Sequence, residues 1–222
     1  MELIHTIYEP DGHGPHPTIL TLHGRGANAF DLLGLAPHLG NGKFLMICPQ
    51  GPLETPIGPG AIGYAWYPMS MGGPTDAGAI LSSRKKLLGF LDECLNRYPI
   101  DAKKFVVLGF SQGGGMAYSL ALSNPEPFAG LAVLSSWLPK ELIPKLSINN
   151  EAVQSLPTLV QHGSQDQLIE VQRARDSVEQ LRALRMPLTY REYDMGHEIT
   201  PRSLSDLSAW LEEKVLSPII VG

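Results

Sequence analysis

Short apolar segments recur along the chain, and most of them are continuous rather than alternating in hydrophobicity. Continuous apolar character is typical of strands that are buried on both faces of a sheet. The segments that predict such strands are residues 17–24, 44–51, 104–111, 130–136, 157–163 and 188–194. The pattern therefore predicts a sheet that is covered on both sides.

Helical periodicity fills the intervals between these strands. In residues 168–185 apolar side chains from Leu168 to Leu184 repeat at steps of three and four, and similar stripes run through 77–98 and 203–216. Thr200 is a suitable N-cap for the last helix, because Pro201 follows at a position that needs no amide hydrogen. Alternating strands and helices predict an α/β fold, with a mostly parallel central sheet and helices on both faces.

Residues 52–74 depart from this alternation. Gly and Pro are dense there, and Trp66, Tyr67, Met69 and Met71 interrupt them. Such a composition favours a long loop, and long loops are often functional. We predict a loop over the site that acts either as a lid or as a fixed wall.

Length and composition limit the remaining alternatives. The chain has 222 residues, 43% of them hydrophobic, with no repeat or linker, so we predict a single domain over residues 1–222. A net charge of -5 argues against nucleic acid or an anionic membrane as partner. No segment is apolar enough to span a membrane, the N-terminus lacks a signal-peptide pattern, and Cys48 and Cys94 have apolar neighbours. These features favour a cytoplasmic protein with buried free thiols.

The sequence GFSQG at 109–113 fits the pattern G-x-S-x-G, in which a serine lies on a sharp turn between a strand and a helix. An apolar strand precedes it and an apolar helical stretch follows, as that turn requires. Side chains at Gly109 and Gly113 would collide in so tight a turn. Ser111 is therefore the candidate nucleophile.

A serine hydroxyl needs a base, and in this type of site the acid and the histidine follow the serine in the chain. Only His162 and His197 lie downstream. Choosing His162 would leave only glutamates away from strand ends as the acid, so His197 is the candidate base. Asp166 lies just beyond a strand and is the favoured acid, while Asp194, in the same loop as His197, remains open as an alternative.

An oxyanion intermediate needs preorganised backbone donors. The sequence offers the amide of Gln112, next after the nucleophile, and the amide of Arg25 in the glycine-bearing turn LHGRGAN. His23 precedes that turn, and a histidine at a strand end more often secures a loop than performs chemistry. We therefore leave His23 out of the candidate site.

The motifs LHGRGAN at 22–28, GFSQGG at 109–114, HGSQD at 162–166 and GH at 196–197 occur in the order found in one family. Over nearly its entire length the chain resembles the phospholipase/carboxylesterase family of α/β-hydrolases, which contains small bacterial carboxylesterases and acyl-protein thioesterases. The resemblance implies the α/β-hydrolase fold, a triad of Ser111, Asp166 and His197, and an oxyanion hole from the amides of Arg25 and Gln112. It also implies hydrolysis without a metal or an organic cofactor. Arg25 and the loop YAWYPMSMGGPT depart from the eukaryotic thioesterase branch.

These features predict a serine carboxylesterase that acts on small-molecule esters with short to medium acyl chains, as a monomer or homodimer. Acyl-protein thioesterase or lysophospholipase activity is the alternative, and a non-catalytic acyl- or lipid-binding module is the alternative of another class. Aromatic and thioether side chains suit an acyl pocket. The candidate pocket residues are Trp66, Tyr67, Met69 and Trp137.

Overall fold

A seven-stranded sheet forms the centre of the molecule, in the strand order β1-β3-β2-β6-β7-β8-β9. The computed structural model describes residues 3–69 and 74–217. The strands of this sheet are β1 (His5–Tyr8), β2 (His16–Leu22), β3 (Leu45–Pro49), β6 (Ile100–Phe110), β7 (Gly130–Leu134), β8 (Thr158–Gly163) and β9 (Leu188–Tyr193). Only β1 runs antiparallel to its neighbour, so the predicted mostly parallel sheet is confirmed.

Helices cover both faces of the sheet, also as predicted. They are α1 (Ala77–Arg97), α2 (Gln112–Ser123), α3 (Asn150–Val153), α4 (Val171–Ala183) and α5 (Pro201–Leu211). Apolar side chains of α1, α2 and α4 pack into one core cluster, and those of α5 pack into a second. Within β6, Val107 joins the first cluster while Val106 and Leu108 join the second, so successive side chains of one strand supply both cores.

The turn between β8 and α4 explains why the helix starts later than predicted. Helix α4 begins at Val171, and Leu168 is 77% exposed, so the inclusion of Leu168 in the apolar stripe was wrong. The Asp166 carboxylate accepts hydrogen bonds from the amides of Leu168 and Ile169 and holds them in a turn. By contrast, the predicted start of α5 at Pro201, with Thr200 as N-cap, is confirmed.

Residues 53–65 form a β-hairpin where the sequence predicted a loop. Strands β4 (Leu53–Gly58) and β5 (Ala61–Ala65) pair antiparallel as a separate two-stranded sheet. Tyr64 also forms an isolated bridge with Ala27, so the hairpin is attached to the turn that follows β2. The loop prediction is therefore wrong for this part of the segment, because the density of Gly and Pro concealed the strand pairing.

Cys48 and Cys94 are both buried and free, as predicted. Burial raises the pKa of the Cys48 thiol to about 11 and that of Cys94 to about 12. Both side chains are therefore neutral thiols that pack as small apolar groups. Within residues 3–69 and 74–217, none of the helices has the length and apolar character of a membrane span.

Candidate active site

Ser111 occupies a sharp turn between β6 and α2. Its backbone has φ 53° and ψ −122°, a region that non-glycine residues rarely adopt. Two hydrogen bonds hold this conformation: the amide of Ser111 donates to the carbonyl of Leu134 at 3.0 Å, and the Ser136 hydroxyl donates to the carbonyl of Ser111 at 2.6 Å. These two hydrogen bonds therefore hold Ser111 in the strained backbone conformation from which its hydroxyl projects.

Two glycines allow the turn to pack against neighbouring backbone. A Cβ at Gly113 would lie 1.9 Å from the carbonyl oxygen of Leu22, and one at Gly109 would lie 2.3 Å from that of Gly113. Neither contact is tolerable for a side chain. The predicted steric requirement for glycine at both positions is confirmed.

The structure brings Ser111, His197 and Asp166 into one hydrogen-bonded chain. The Ser111 hydroxyl lies 2.9 Å from Nε2 of His197, and Nδ1 of His197 lies 2.7 Å from Oδ2 of Asp166. Because a carboxylate can only accept, Nδ1 carries the hydrogen and Nε2 is left free to accept from the hydroxyl. This is the arrangement of a nucleophile, a base and an acid that orients the base.

Asp166 is the carboxylate that contacts the imidazole, whereas Asp194 is exposed. The Asp166 side chain has no exposed surface, and its Oδ1 accepts from the amides of Leu168 at 2.9 Å and Ile169 at 2.8 Å. Hydrogen bonds to a carboxylate are among the stronger ones in proteins. They leave Oδ2 directed at His197.

The loop that carries His197 approaches β8 closely at Gly163. A Cβ at Gly163 would lie 2.3 Å from the carbonyl oxygen of Met195 and 2.4 Å from that of Gly196. The ring of Phe110 packs against the His197 ring with centroids 5.0 Å apart. The backbone contact at Gly163 and the Phe110 ring therefore both restrain the position of the imidazole.

Both segments predicted to supply oxyanion donors lie at the nucleophile. Gln112 is the first residue of α2, so its amide has no partner inside the helix and lies at the positive end of the helix dipole. A Cβ at Gly24 would lie 3.3 Å from Cβ of Ser111, so the turn that contains Arg25 passes beside the serine. The exposed Arg25 side chain extends to Thr55 of the hairpin, with Nη2 3.4 Å from its hydroxyl oxygen.

Hydrogen bonds around Trp66 connect the end of the hairpin to Gln112 and to the turn after β2, the two segments predicted to supply oxyanion donors. The Gln112 side chain accepts from the amide of Trp66 at 2.8 Å and donates to the carbonyl of Tyr67 at 2.7 Å. The indole of Trp66 donates to the carbonyl of His23 at 2.9 Å, and Ser83 donates to the carbonyl of Trp66. The sequence predicts a role for the amide of Gln112 alone, and its place in the G-x-S-x-G motif is the one signal that could have pointed to its side chain.

His23 secures a loop, as its place at the end of β2 suggested. Its Nδ1 donates to the carbonyl of Gly24 at 2.7 Å, and its Nε2 accepts from the amide of Gly51 at 2.9 Å. A ring that accepts at Nε2 is neutral, and burial lowers the pKa of His23, which favours the same form. His23 thus joins the turn after β2 to the end of β3.

The predicted acyl-pocket residues fall into two groups. Trp66 and Tyr67 have no exposed surface and belong to the core, so a substrate would reach them only if neighbouring side chains moved. Met69 is 45% exposed, while Trp137 is 4% exposed and lies 3.9 Å beneath the guanidinium of Arg173. The assignment of all four residues to an acyl pocket stays a prediction, and Met71 lies outside the described residues.

No group of three or more His, Cys, Asp and Glu side chains in the described part of the chain is arranged to hold a metal ion.

Comparison with known proteins adds independent information. A sequence profile described as Phospholipase/Carboxylesterase matches residues 5–215. Acyl-protein thioesterase 1 of Mycosarcoma maydis is 28% identical over 228 residues, which cover 92% of this chain and 93% of that protein. A probable carboxylesterase, SOBER1-like, of Arabidopsis thaliana is 26% identical over 214 residues, or 90% of this chain and 79% of that one. The solved carboxylesterase of Bacillus cereus has a TM-score of 0.80 at 20% identity, over 95% and 93% of the two chains, a likeness that shows a common fold.

Gly163→Ala tests the backbone contact that positions His197. The added methyl group forces the 195–196 backbone away, and a misplacement of about 1 Å can cost on the order of 100-fold in rate. We expect kcat/KM for a nitrophenyl ester to fall by that order. Gly89→Ala is the matched control, because a Cβ there meets nothing within 4 Å, and it should leave kcat/KM unchanged. Equal kcat/KM values for the two variants would contradict the account of Gly163.

The pH dependence of stability tests the buried neutral histidines. Burial lowers the folded-state pKa of His23 and of His162 below the ordinary value of about 6.5. The unfolded chain therefore binds more protons than the folded protein as the pH falls through 6.5, and stability is lost in that direction. We expect the free energy of unfolding by urea to decrease below pH 6.5, by up to about 1.4 kcal/mol per pH unit for each histidine. His162→Gln should reduce this slope, and an unchanged slope would refute the assignment.

Proposed function

The chain belongs to the phospholipase/carboxylesterase family, and from this premise we propose that it is a serine hydrolase of carboxyl esters that uses Ser111, His197 and Asp166. The observation that carries the proposal is the hydrogen-bonded chain from the Ser111 hydroxyl through His197 to the buried Asp166 carboxylate. Membership of the family supports an ester-hydrolysing activity. The geometry of these three side chains supports the mechanism.

Acylation begins when the Ser111 oxygen attacks the ester carbonyl and its proton passes to Nε2 of His197. Asp166 stabilises the resulting imidazolium through the hydrogen bond to Nδ1. The amides of Gln112 and Arg25 donate to the oxyanion of the tetrahedral intermediate, where each donor is worth on the order of 3 kcal/mol. The intermediate collapses as the C–O bond to the alcohol breaks, and His197 gives its proton to that alcohol.

Deacylation repeats these steps with water as the nucleophile. His197 removes a proton from the water, whose oxygen attacks the acyl-enzyme carbonyl. Collapse breaks the bond to Ser111, which recovers its proton from His197, and the carboxylic acid is released. The covalent acyl group on Ser111 is the intermediate that distinguishes this mechanism from simple binding of an acyl compound.

Thioester hydrolysis is the second candidate, and the acyl-protein thioesterase among the relatives favours it. The same residues would act on either bond, since only the leaving atom differs. We further propose a small-molecule substrate with a short to medium acyl chain, because Trp66 and Tyr67 are packed into the core instead of lining a long channel.

Ser111→Ala tests the nucleophile. Removal of a triad serine typically lowers turnover about a millionfold, so we expect nitrophenyl acetate hydrolysis to fall to background. A fluorophosphonate should label the parent protein and leave the variant unlabelled. Ser82→Ala, at an exposed position of α1, is the control that should keep both activity and labelling. Turnover above one thousandth of the parent rate in Ser111→Ala would rule out the mechanism, and a parent protein without turnover would favour a binding module.

A series of C2 to C12 nitrophenyl esters with matching thioesters tests the substrate class. Each methylene that enters an apolar pocket contributes roughly 0.8 kcal/mol, so kcat/KM should rise with chain length until the pocket is filled. We expect the maximum before C12. Values still rising at C12 would contradict the chain-length proposal, and thioesters favoured at every length would replace the ester with the thioester as substrate.

A further inference from the structure

His162 is a buried titratable residue to which the mechanism above gives no part. It lies in β8, four residues before Asp166, and its side chain has no exposed surface. Its Nε2 is 2.8 Å from the carbonyl oxygen of Ile169 and 3.4 Å from Oδ2 of Asp166. The same carboxylate oxygen is 2.7 Å from Nδ1 of His197, so the two imidazoles face one oxygen.

The turn that holds Asp166 is closed by two kinds of hydrogen bond at Ile169. The amide of Ile169 donates to Oδ1 of Asp166, and its carbonyl accepts from Nε2 of His162. These two groups belong to the peptide units on either side of the Ile169 Cα, so a displacement of Ile169 would weaken both contacts. The imidazole of His162 restrains the residue that, together with Leu168, fixes the orientation of the carboxylate.

The hydrogen of His162 must lie on Nε2, because a carbonyl oxygen can only accept. Its Nδ1 is buried and has no hydrogen-bond partner among the described residues, so a proton there would be an unsolvated charge. Desolvation lowers the pKa of His162 against the opposing effects of the Ile169 carbonyl, Asp166 and Glu192, and His197 acts in the same direction as desolvation. The ring is thus a neutral donor beside the site of imidazolium formation, where a second positive charge would oppose protonation of His197.

We propose that His162 is a positioning residue for the acid of the triad. Its Nε2–H holds the Ile169 carbonyl and faces Oδ2 of Asp166, and this keeps Oδ2 directed at His197 without adding a charge. The inference rests on the proposed function, because it assigns His162 a role in the reaction that Asp166 and His197 are proposed to perform. His162 itself touches neither the substrate nor the reacting atoms.

The test compares His162→Leu, which removes the donor, with His162→Gln, whose side-chain amide can still donate toward Ile169. We expect His162→Leu to lower kcat for a nitrophenyl ester 10- to 100-fold with KM within twofold, because the binding surface is untouched while the base loses its alignment. His162→Gln should recover most of the lost kcat. His13→Leu, at an exposed histidine, is the matched control and should keep the parent kcat.

A spectroscopic signature separates this role from general stabilisation. The Nδ1–H of His197 that is bonded to Asp166 should give a low-field proton resonance in the parent protein. In His162→Leu that resonance should shift or vanish, while His162→Gln should retain it. Should His162→Leu fail to fold, His162→Asn carries the comparison, since its shorter amide withdraws the donor from Ile169.

The outcomes also separate this proposal from the function on which it rests. Parent kcat in His162→Leu, or equal losses in the Gln and Leu variants, would overturn the positioning role even if Ser111→Ala is inactive. Full activity in Ser111→Ala would instead overturn the proposed function. A fall in kcat that His162→Gln restores, with an unchanged KM, supports the role of the donor.

Discussion

Backbone packed directly against backbone is the constraint on which the candidate site depends. The turn between β6 and α2 lies against the carbonyl of Leu22 at Gly113. The end of β8 lies against the carbonyls of Met195 and Gly196 at Gly163. Hydrogen bonds of 2.9 and 2.7 Å link side chains from three separate segments, and the bond between His197 and Asp166 joins the two segments that cross at Gly163. Glycine at 163 therefore lets the His197 loop approach Asp166, and glycine at 113 lets the turn at Ser111 approach the end of β2.

The buried histidines near the candidate site, His23 and His162, carry no charge. His23 accepts a hydrogen bond at Nε2 and His162 donates one, and burial keeps both rings neutral. The Asp166 carboxylate is thus the buried charge next to His197, and backbone amides satisfy its other oxygen. In the proposed reaction that carboxylate is placed to stabilise the imidazolium formed on His197.

The sequence predicted the parts of the fold whose signals are local and strong. Apolar runs identified the buried strands, and a cap followed by Pro201 identified the start of α5, because burial and capping leave clear patterns. It missed β1, a half-buried edge strand of four residues, and the hairpin at 53–65, whose pairing depends on contact with the turn at Ala27. Residues that act through other residues, such as His162 and the Gln112 side chain, were also missed, since no spacing in the chain reveals a contact across strands.

The hydrogen bonds of Gln112 bear on whether residues 52–74 form a lid or a fixed wall. Its side chain holds the amide of Trp66 and the carbonyl of Tyr67, while its own amide begins α2 beside Ser111. Trp66 is also bonded to His23 and Ser83 and has no exposed surface. Lifting this end of the segment would break four hydrogen bonds and expose a buried indole, and it would disturb the residue proposed to donate to the oxyanion. The part of the segment at Trp66 and Tyr67 is therefore held against the core and is not placed as a lid.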